Sequence, residues 1–488
     1  MRPLVLFALL FAYVATPVCA QEHVNVIYIN ADDLGVMDVG FNSDRYITPN
    51  IDQLRAEGML FTEAYAPAAN CAPSRACVLS GQYGPRHGVY TVGGSARGDS
   101  RTRKIIPAKS IGGLNPENAN IGTVFRKNGY KTIHLGKWHA GVKSLESGFD
   151  VNIGGSGAGR PGDGGYFSPF SKGPMERFNE RYPEGTHRVD IYADQAIQFM
   201  REHKARPFFM HMAYYAVHTP LERVPEFVHK YDSDTVQVAY ATMIEKMDQG
   251  IGHILDELDR LGLKENTLVL FCSDNGGIRY ISHQDPYRSG KGSYLEGGIR
   301  EPLVVRWPKV IKANSSCAVP VSGIDFFPTF LAATGVEKPE DKILDGVSLV
   351  PLFNGNKIAD RALFWHFPIY LESYAGEHDH AHDPVFRTRP GSVIRKGNWK
   401  LHEYFEDGHL ELYNLKTDLG ERKNVAHEMS EKTKELYEEL KQWRTEINAP
   451  VPVEKNPEYD SSYEPKIKKG KNPEFIPSEK KSKKKSKN

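Results

Sequence analysis

The chain has 488 residues, of which 40% are hydrophobic and 25% charged, the balance of a soluble globular protein. That excludes a coiled coil, a wholly disordered chain and a polytopic membrane protein, and it leaves room for roughly two to four domains or one large α/β domain with an addition. With 62 basic against 61 acidic residues the net charge is +1, which makes no case for a nucleic-acid partner.

The chain opens on Arg2, the apolar run Leu4–Val14 and small residues before Gln21. This reads as a secretory signal peptide cut after Ala20, because the run is too short to span a bilayer. Export to the periplasm or the medium is expected, without stable membrane insertion. Losing Cys19 leaves Cys71, Cys77, Cys272 and Cys317, too few for a disulfide scaffold. The sequon Asn314-Ser315-Ser316 is too common a pattern to identify a eukaryotic source.

Short apolar, β-branched runs follow at His23–Ile29, Pro207–Ala213 and Thr267–Cys272, each predicting a buried strand. They lead into Asn30-Ala31-Asp32-Asp33, His218-Thr219-Pro220 and Ser273-Asp274-Asn275. Helical stretches at Val189–His203 and Val236–Leu261 lie between them. Alternation of this kind predicts an α/β fold, a large mostly parallel sheet sandwiched by helices. Ligands in such folds sit beyond the strand carboxyl ends, where these polar residues fall. Met59, Leu60 and Phe61 are assigned to the core. The Gly-rich and polar stretches 92–112, 154–172 and 374–392 are read as loops and as candidate sugar subsites. From about residue 361 the texture changes to paired strands, at Ser392–Leu401 and Leu410–Leu415, and a helix at Met429–Ile447. The expected organisation is therefore a signal at 1–20, a catalytic α/β domain at 21–360, a smaller α+β subdomain at 361–449 and a disordered tail at 450–488. Residues 466–488 hold ten Lys against Glu474 and Glu479, a local charge of +8 that leaves −7 for the rest. Solvation is the plain reading of that tail, and contact with an anionic polysaccharide or a cell surface the other.

Cys71-Ala72-Pro73-Ser74-Arg75, continuing to Ser80-Gly81, resembles the signature of the type I, formylglycine-dependent sulfatases of the alkaline phosphatase superfamily. Val78 and Ser80 stand where that signature usually has Leu and Thr. The resemblance extends over about residues 23–445. It includes Gly136-Lys137-Trp138-His139, Ala216-Val217-His218-Thr219-Pro220, Ser289-Gly290-Lys291-Gly292 and Leu412–Glu421. It implies an alkaline phosphatase-like fold and oxidation of Cys71 to formylglycine by a formylglycine-generating or sulfatase-maturing enzyme. It also implies a Ca²⁺ site at Asp32, Asp33, Asp274, Asn275 and residue 71. Arg75 and His139 then serve the aldehyde hydrate. Lys137, Lys291 and His218 bind sulfate oxygens, and one of the last two protonates the leaving alcohol.

The chemistry explains these residue types. A sulfate monoester repels anionic nucleophiles, whereas an aldehyde hydrate has two hydroxyls on one carbon. One attacks sulfur, and the other later expels sulfate as the aldehyde re-forms. A hard cation activates the hydroxyl, and cations with one acid stabilise the charge that develops. Four oxygen donors with three carboxylates suit Ca²⁺, ahead of Mg²⁺, over zinc. An isolated Asp-Asp pair reads as a turn or a cap, and an isolated Lys or His as surface or core; the six motifs in order outweigh those readings.

The expected activity is sulfate-ester hydrolysis on a carbohydrate, either a sulfated algal polysaccharide or a glycosaminoglycan. The alternatives are a phosphate or phosphonate monoester hydrolase, and a glycan-binding protein whose Cys71 is never oxidised. The His/Asp cluster Glu377–Asp383 is open between a second metal site, a substrate-recognition loop and an exposed polar loop.

Overall fold

A computed structural model describes residues 23–162, 165–234 and 236–470. The proposed signal peptide, and the tail beyond residue 470, lie outside the described residues.

Eight strands form the main sheet: β1 (Asn25–Ala31), β2 (Met59–Phe61), β3 (Lys131–Gly136), β4 (Val151–Ile153), β5 (Phe208–Ala213), β6 (Thr267–Ser273), β7 (Leu303–Arg306) and β8 (Ser315–Cys317). Their order is β4-β3-β5-β1-β6-β7-β2-β8. Only β7 runs against the others, pairing antiparallel with β6 and β2. The central strands are buried on both faces, which is why they read as continuous apolar runs. Ile27, Ile29, Met210, Met212, Val269 and Phe271 share one core with residues of the helices Arg188–His203 and Val238–Arg260. Val26, Tyr28, Phe209, Leu268 and Leu270 share the other with the helices Cys71–Ser80 and Phe326–Thr334. Each such fully buried side chain is worth about 1.5–3 kcal/mol relative to exposure.

The register places the chemistry. Asn30 pairs with both Ala213 and Cys272, Ala31 with Ser273, and Gly136 with Ala213. Four neighbouring strands thus end level, and the residues that follow each end rise over one point of the sheet.

Residues 361–449 carry a four-stranded antiparallel sheet, in the order Leu363–Phe367, Gly391–Lys396, Trp399–Tyr404, His409–Asn414. Helix Ser430–Glu446 closes it, with Leu401, Leu412, Leu436, Leu440 and Trp443 in one cluster together with Cys77. Lys400 Nζ, fully buried, lies 2.9 Å from Glu296 and 3.0 Å from Glu421. This ion cluster ties the second sheet to the segment that follows Lys291.

One expectation needs correction. Residues 450–470 are not a disordered extension: as far as Tyr463 they form a strap along the 101–106 loop, and beyond it Lys468 pairs with Glu372 (3.0 Å). Ile106 N donates to Glu454 O (2.8 Å), Asn456 N to Lys104 O (3.0 Å), and Asp460 N to Arg101 O (3.0 Å). The Arg101 guanidinium lies 3.6 Å from the Tyr463 ring centroid. Backbone pairing of this kind needs no apolar side chains, so the composition of the segment conceals it. Cys71, Cys77, Cys272 and Cys317 are all free thiols.

A pH prediction arises at the root of the strap. His366 bonds Ser392 Oγ through Nδ1 (2.8 Å) and Pro450 O through Nε2 (2.9 Å). Pro450 O can only accept, so Nε2 carries the proton and the ring is neutral. Burial lowers its pKa from 6.5 to about 3. Below pH 6.5 the unfolded chain takes up a proton that the folded chain refuses, so the stability from His366 is lost as pH falls from about 6.5 to 3, at up to about 1.4 kcal/mol per unit. The stability gap between wild type and His366→Gln should narrow at that rate in denaturant midpoints taken from pH 7 to 4. A gap independent of pH would refute the assignment.

Candidate active site

Asp32 and Asp33 leave β1, and Asp274 and Asn275 leave β6. Asp33 and His139 both adopt left-handed backbone, with φ of 63° and 54°, a conformation that Asp and His tolerate better than most residues. Cys71 opens the helix Cys71–Ser80, all of whose residues are buried. Its Sγ lies 3.5 Å from Asp32 Oδ1 and 3.7 Å from Asp33 Oδ1. One turn on, Arg75 Nε donates to Asp274 Oδ2 (2.8 Å) and Nη1 to Lys137 O (3.0 Å). Lys137 Nζ donates to Asp32 Oδ2 and Lys291 Nζ to Asp33 Oδ2, both at 2.6 Å. His218 Nε2 stands 3.8 Å from the same Asp33 oxygen, and its Nδ1 contacts Thr219 O at 2.5 Å. All ten residues named from the sequence lie in one site. His139 is placed there by neighbourhood: its backbone N donates to Ser156 O (3.3 Å), and it shares the field of Lys137, Arg75, Lys291 and His218.

Electrostatics follow from this crowding. Burial, the largest effect, and the Asp274 carboxylate push Asp32 above the ordinary carboxylate range, against the pull of Lys137. Burial acts the same way on Asp33, but the charge of Lys291, with that of Lys137, outweighs it and holds Asp33 well below that range. Burial lowers Lys137 and Lys291, yet their carboxylate partners win and keep both charged. Burial, then the nearby cations, lowers His218, and lowers His139 to about 2, so both rings are neutral near neutral pH.

The residues fit a hard divalent cation. Ligand atoms of Asp32, Asp33, Cys71 and Asp274 all lie within 4.8 Å of one another. Asn275 Nδ2 donates to Asp33 Oδ1 (2.9 Å), while Asn275 Oδ1 is buried without a hydrogen-bond partner. A buried acceptor with no donor, beside three carboxylates, is the environment that a cation relieves.

The sulfatase family profile matches residues 24–336. This chain belongs to the sulfatase family. A second profile, N-sulphoglucosamine sulphohydrolase, C-terminal, matches residues 290–447. A sulfatase of Formosa agariphila is 31% identical, with 89% of this chain and 91% of that protein covered. The steryl-sulfatase of Mus musculus is 28% identical, covering 85% and 80%. Among solved structures, Ps i-CgsB in complex with k-i-k-neocarrahexaose superposes with a TM-score of 0.69 at 28% identity, covering 86% of this chain and 92% of that one. The alkaline phosphatase-like fold expected from the motifs is thereby confirmed.

Two positioning residues of this sulfatase escaped the motif reading. Tyr166 shares its one hydroxyl proton between the carbonyls of Tyr215 and His218 (2.7 Å each). Arg387 Nη1 donates to Lys291 O (2.9 Å), with its guanidinium 3.3 Å from the Tyr374 ring centroid. Both sit in the loops 154–172 and 374–392, which composition marked only as candidate sugar contacts. The Glu377–Asp383 cluster is divided among separate tasks. Asp379 accepts from Tyr374 N and Ala375 N, Asp383 accepts from Val385 N and Phe386 N, and His382 faces Glu411 at 3.1 Å. Among the described residues it forms no metal-binding group.

The loop that follows β4 borders a cavity of about 710 Å³ whose lining includes Ser156 and Pro220. A Cβ on Gly159 would fall 2.5 Å from His139 Cε1. Gly159→Ala should therefore displace the imidazole rather than the fold. Displacements near 1 Å cost up to roughly 100-fold, so kcat for sulfate release should drop tenfold or more while the melting temperature stays nearly constant. Wild-type kcat in this variant would show that His139 is not held at the site by Gly159.

Proposed function

We propose that this sulfatase is an exported enzyme that hydrolyses sulfate esters on a carbohydrate, a sulfated polysaccharide or its oligosaccharides. Residue 71, oxidised to formylglycine, is the nucleophile, and Asp32, Asp33, Asp274 and Asn275 hold Ca²⁺. One observation carries this reading: the side chain of residue 71 meets three carboxylates, two ammonium groups and a guanidinium in one buried cluster.

When bound, Ca²⁺ supplies the charge that favours ionisation of a hydroxyl on residue 71 and attracts a sulfate oxygen. Arg75 fixes Asp274 and the backbone of Lys137 and so keeps the cluster rigid. Lys137 and Lys291 hold positive charge where the peripheral sulfate oxygens gain negative charge. His139, neutral and with Nδ1 unpartnered, is able to accept a proton from residue 71. His218 is also neutral in the free site: Thr219 O can only accept, so Nδ1 carries the proton and Nε2 is bare. It becomes a donor to the leaving alcohol only once a bound anion raises its pKa, whereas Lys291 is protonated throughout. Because Cys71–Ser80 is buried along its whole length, the maturing enzyme must read this segment before the chain folds.

The carbohydrate assignment rests on the open cavity beside the site and on the relative solved with neocarrahexaose. The test is sulfate release from a panel of defined sulfated saccharides, using protein whose residue 71 is verified by intact mass. Release from one sugar and one position is expected. No release with formylglycine present would overturn the carbohydrate reading. A kcat/KM for aryl phosphate above that for aryl sulfate would instead select the phosphoester alternative. A thiol that persists after co-expression with a maturing enzyme would select the non-catalytic binder.

A further inference from the structure

The cavity beside the site contains a cation that the chemistry above does not use. Arg188 lines it and is only 3% exposed. One Nη donates to Gly165 O (2.6 Å), while Nε is buried with no hydrogen-bond partner. Among the described residues Arg188 makes no ion pair. Its guanidinium instead packs on the rings of Phe170 and Tyr215, 4.9 and 5.4 Å from their centroids. A buried cation with no anion in contact and an unmet N–H is costly, and an anionic ligand group would relieve that cost.

The surroundings point the same way. Arg160, exposed, and Lys172 line the same cavity, so three cationic side chains face it. Glu222, half-buried, accepts from Tyr166 N (2.9 Å); burial pushes it up and the Arg188 charge pulls it down, but it makes no ion pair with Arg188 and does not line the cavity. Pro174, Met175 and Pro220 give apolar wall, which suits the C–H face of a sugar ring. The cavity adjoins the reacting centre. Pro220 is two residues from His218, and Tyr215, a lining residue, takes the Tyr166 hydrogen bond that also holds the His218 carbonyl.

We propose that this cavity is a subsite for a second anionic substituent on the same saccharide, a sulfate or a carboxylate, paired with Arg188 and steered by Arg160 at the rim. This rests on the carbohydrate sulfatase reading and narrows it: the preferred substrate carries a second negative group beside the ester that is cleaved. A planar guanidinium matches either oxyanion in a paired geometry.

The experiment compares matched saccharides with the mature enzyme: one sulfate ester alone, the same with a second sulfate, and the same with a uronic carboxylate. A second anion should raise kcat/KM tenfold or more, mainly through KM. The larger of the two gains identifies sulfate or carboxylate. In Arg160→Gln and Arg188→Gln the ratio of doubly to singly anionic substrate should fall toward one. Arg160 is exposed, so its variant gives a readout even if Arg188→Gln fails to fold. Equal kcat/KM for all three substrates, or a ratio unchanged in Arg160→Gln and in any folded Arg188 variant, would overturn the subsite. If no saccharide releases sulfate, the carbohydrate reading falls, and the subsite is judged by binding. A Cys71→Ala protein should then bind the doubly anionic saccharides at least tenfold more tightly than the singly anionic one, and equal affinities would overturn the proposal.

Discussion

Cys71→Ala should abolish sulfate release, by roughly 10⁴-fold or more, the scale on which loss of a covalent nucleophile is felt. The reasoning starts from what position 71 touches. Its Sγ is in contact range of both Asp32 and Asp33, and among the described residues no other thiol contacts those carboxylates. Cys272 contacts Asn30 and Tyr28, and Cys77 contacts His87. Among the described residues no second thiol stands where it could replace Cys71. The substitution removes one sulfur from a buried site and leaves the Lys137–Asp32, Lys291–Asp33 and Arg75–Asp274 pairs untouched. Stability should therefore change little, and an unfolded protein would not be the reason for lost activity. The check is sulfate release beside a denaturant titration. Substantial activity in the alanine variant would remove residue 71 from the chemistry, and with it the reading of the site.

The sequence revealed the site more fully than the fold, for a physical reason. The catalytic groups sit where strands end, and strand ends are marked twice, by an apolar run and by an abrupt polar step. Val26–Ala31 into Asp32 and Leu268–Cys272 into Asp274 are both of this form. The level ends of β1, β3, β5 and β6 follow from pairing register, which no local pattern encodes. The outer strands were harder. β7 spans only four residues, Leu303–Arg306, and runs antiparallel, while β8 is Ser315–Cys317, with no buried residue. Short edge strands carry little periodicity. Residues 450–470 were misjudged because their order comes from backbone pairing with a polar loop, and a low apolar content is silent about that. Arg188 was missed for the opposite reason: as the first residue of a helix it looks like any surface cation, and only the tertiary structure shows it buried beside a cavity.

Arg75→Ala should be the most damaging single change to stability within the site. Arg75 is 3% exposed. Nε and Nη2 both lie 2.8 Å from Asp274 Oδ2, and Nη1 donates to Lys137 O. Truncation leaves the buried Asp274 without a cation and the Lys137 carbonyl without its donor. Breaking a buried pair on one side costs about 3–5 kcal/mol, a large share of the stability of an ordinary domain. Arg75→Lys should recover only part of that, because one ammonium on a shorter stem cannot span Asp274 and the Lys137 carbonyl as the guanidinium does. A double-mutant cycle with Asp274→Asn separates the pair from the rest. Neutralising Asp274 removes the stranded charge, so the double variant should be more stable than Arg75→Ala alone. Added Ca²⁺ tests the same logic from the other side. A cation among the carboxylates compensates the charge that Arg75 no longer meets, so the stability gained on adding Ca²⁺ should be greater in Arg75→Ala than in wild type, measured as the shift in unfolding midpoint against Ca²⁺ concentration. Equal shifts, or none in either protein, would mean that Arg75 and the cation do not share the field of Asp274. The role of Arg75 would then be confined to packing.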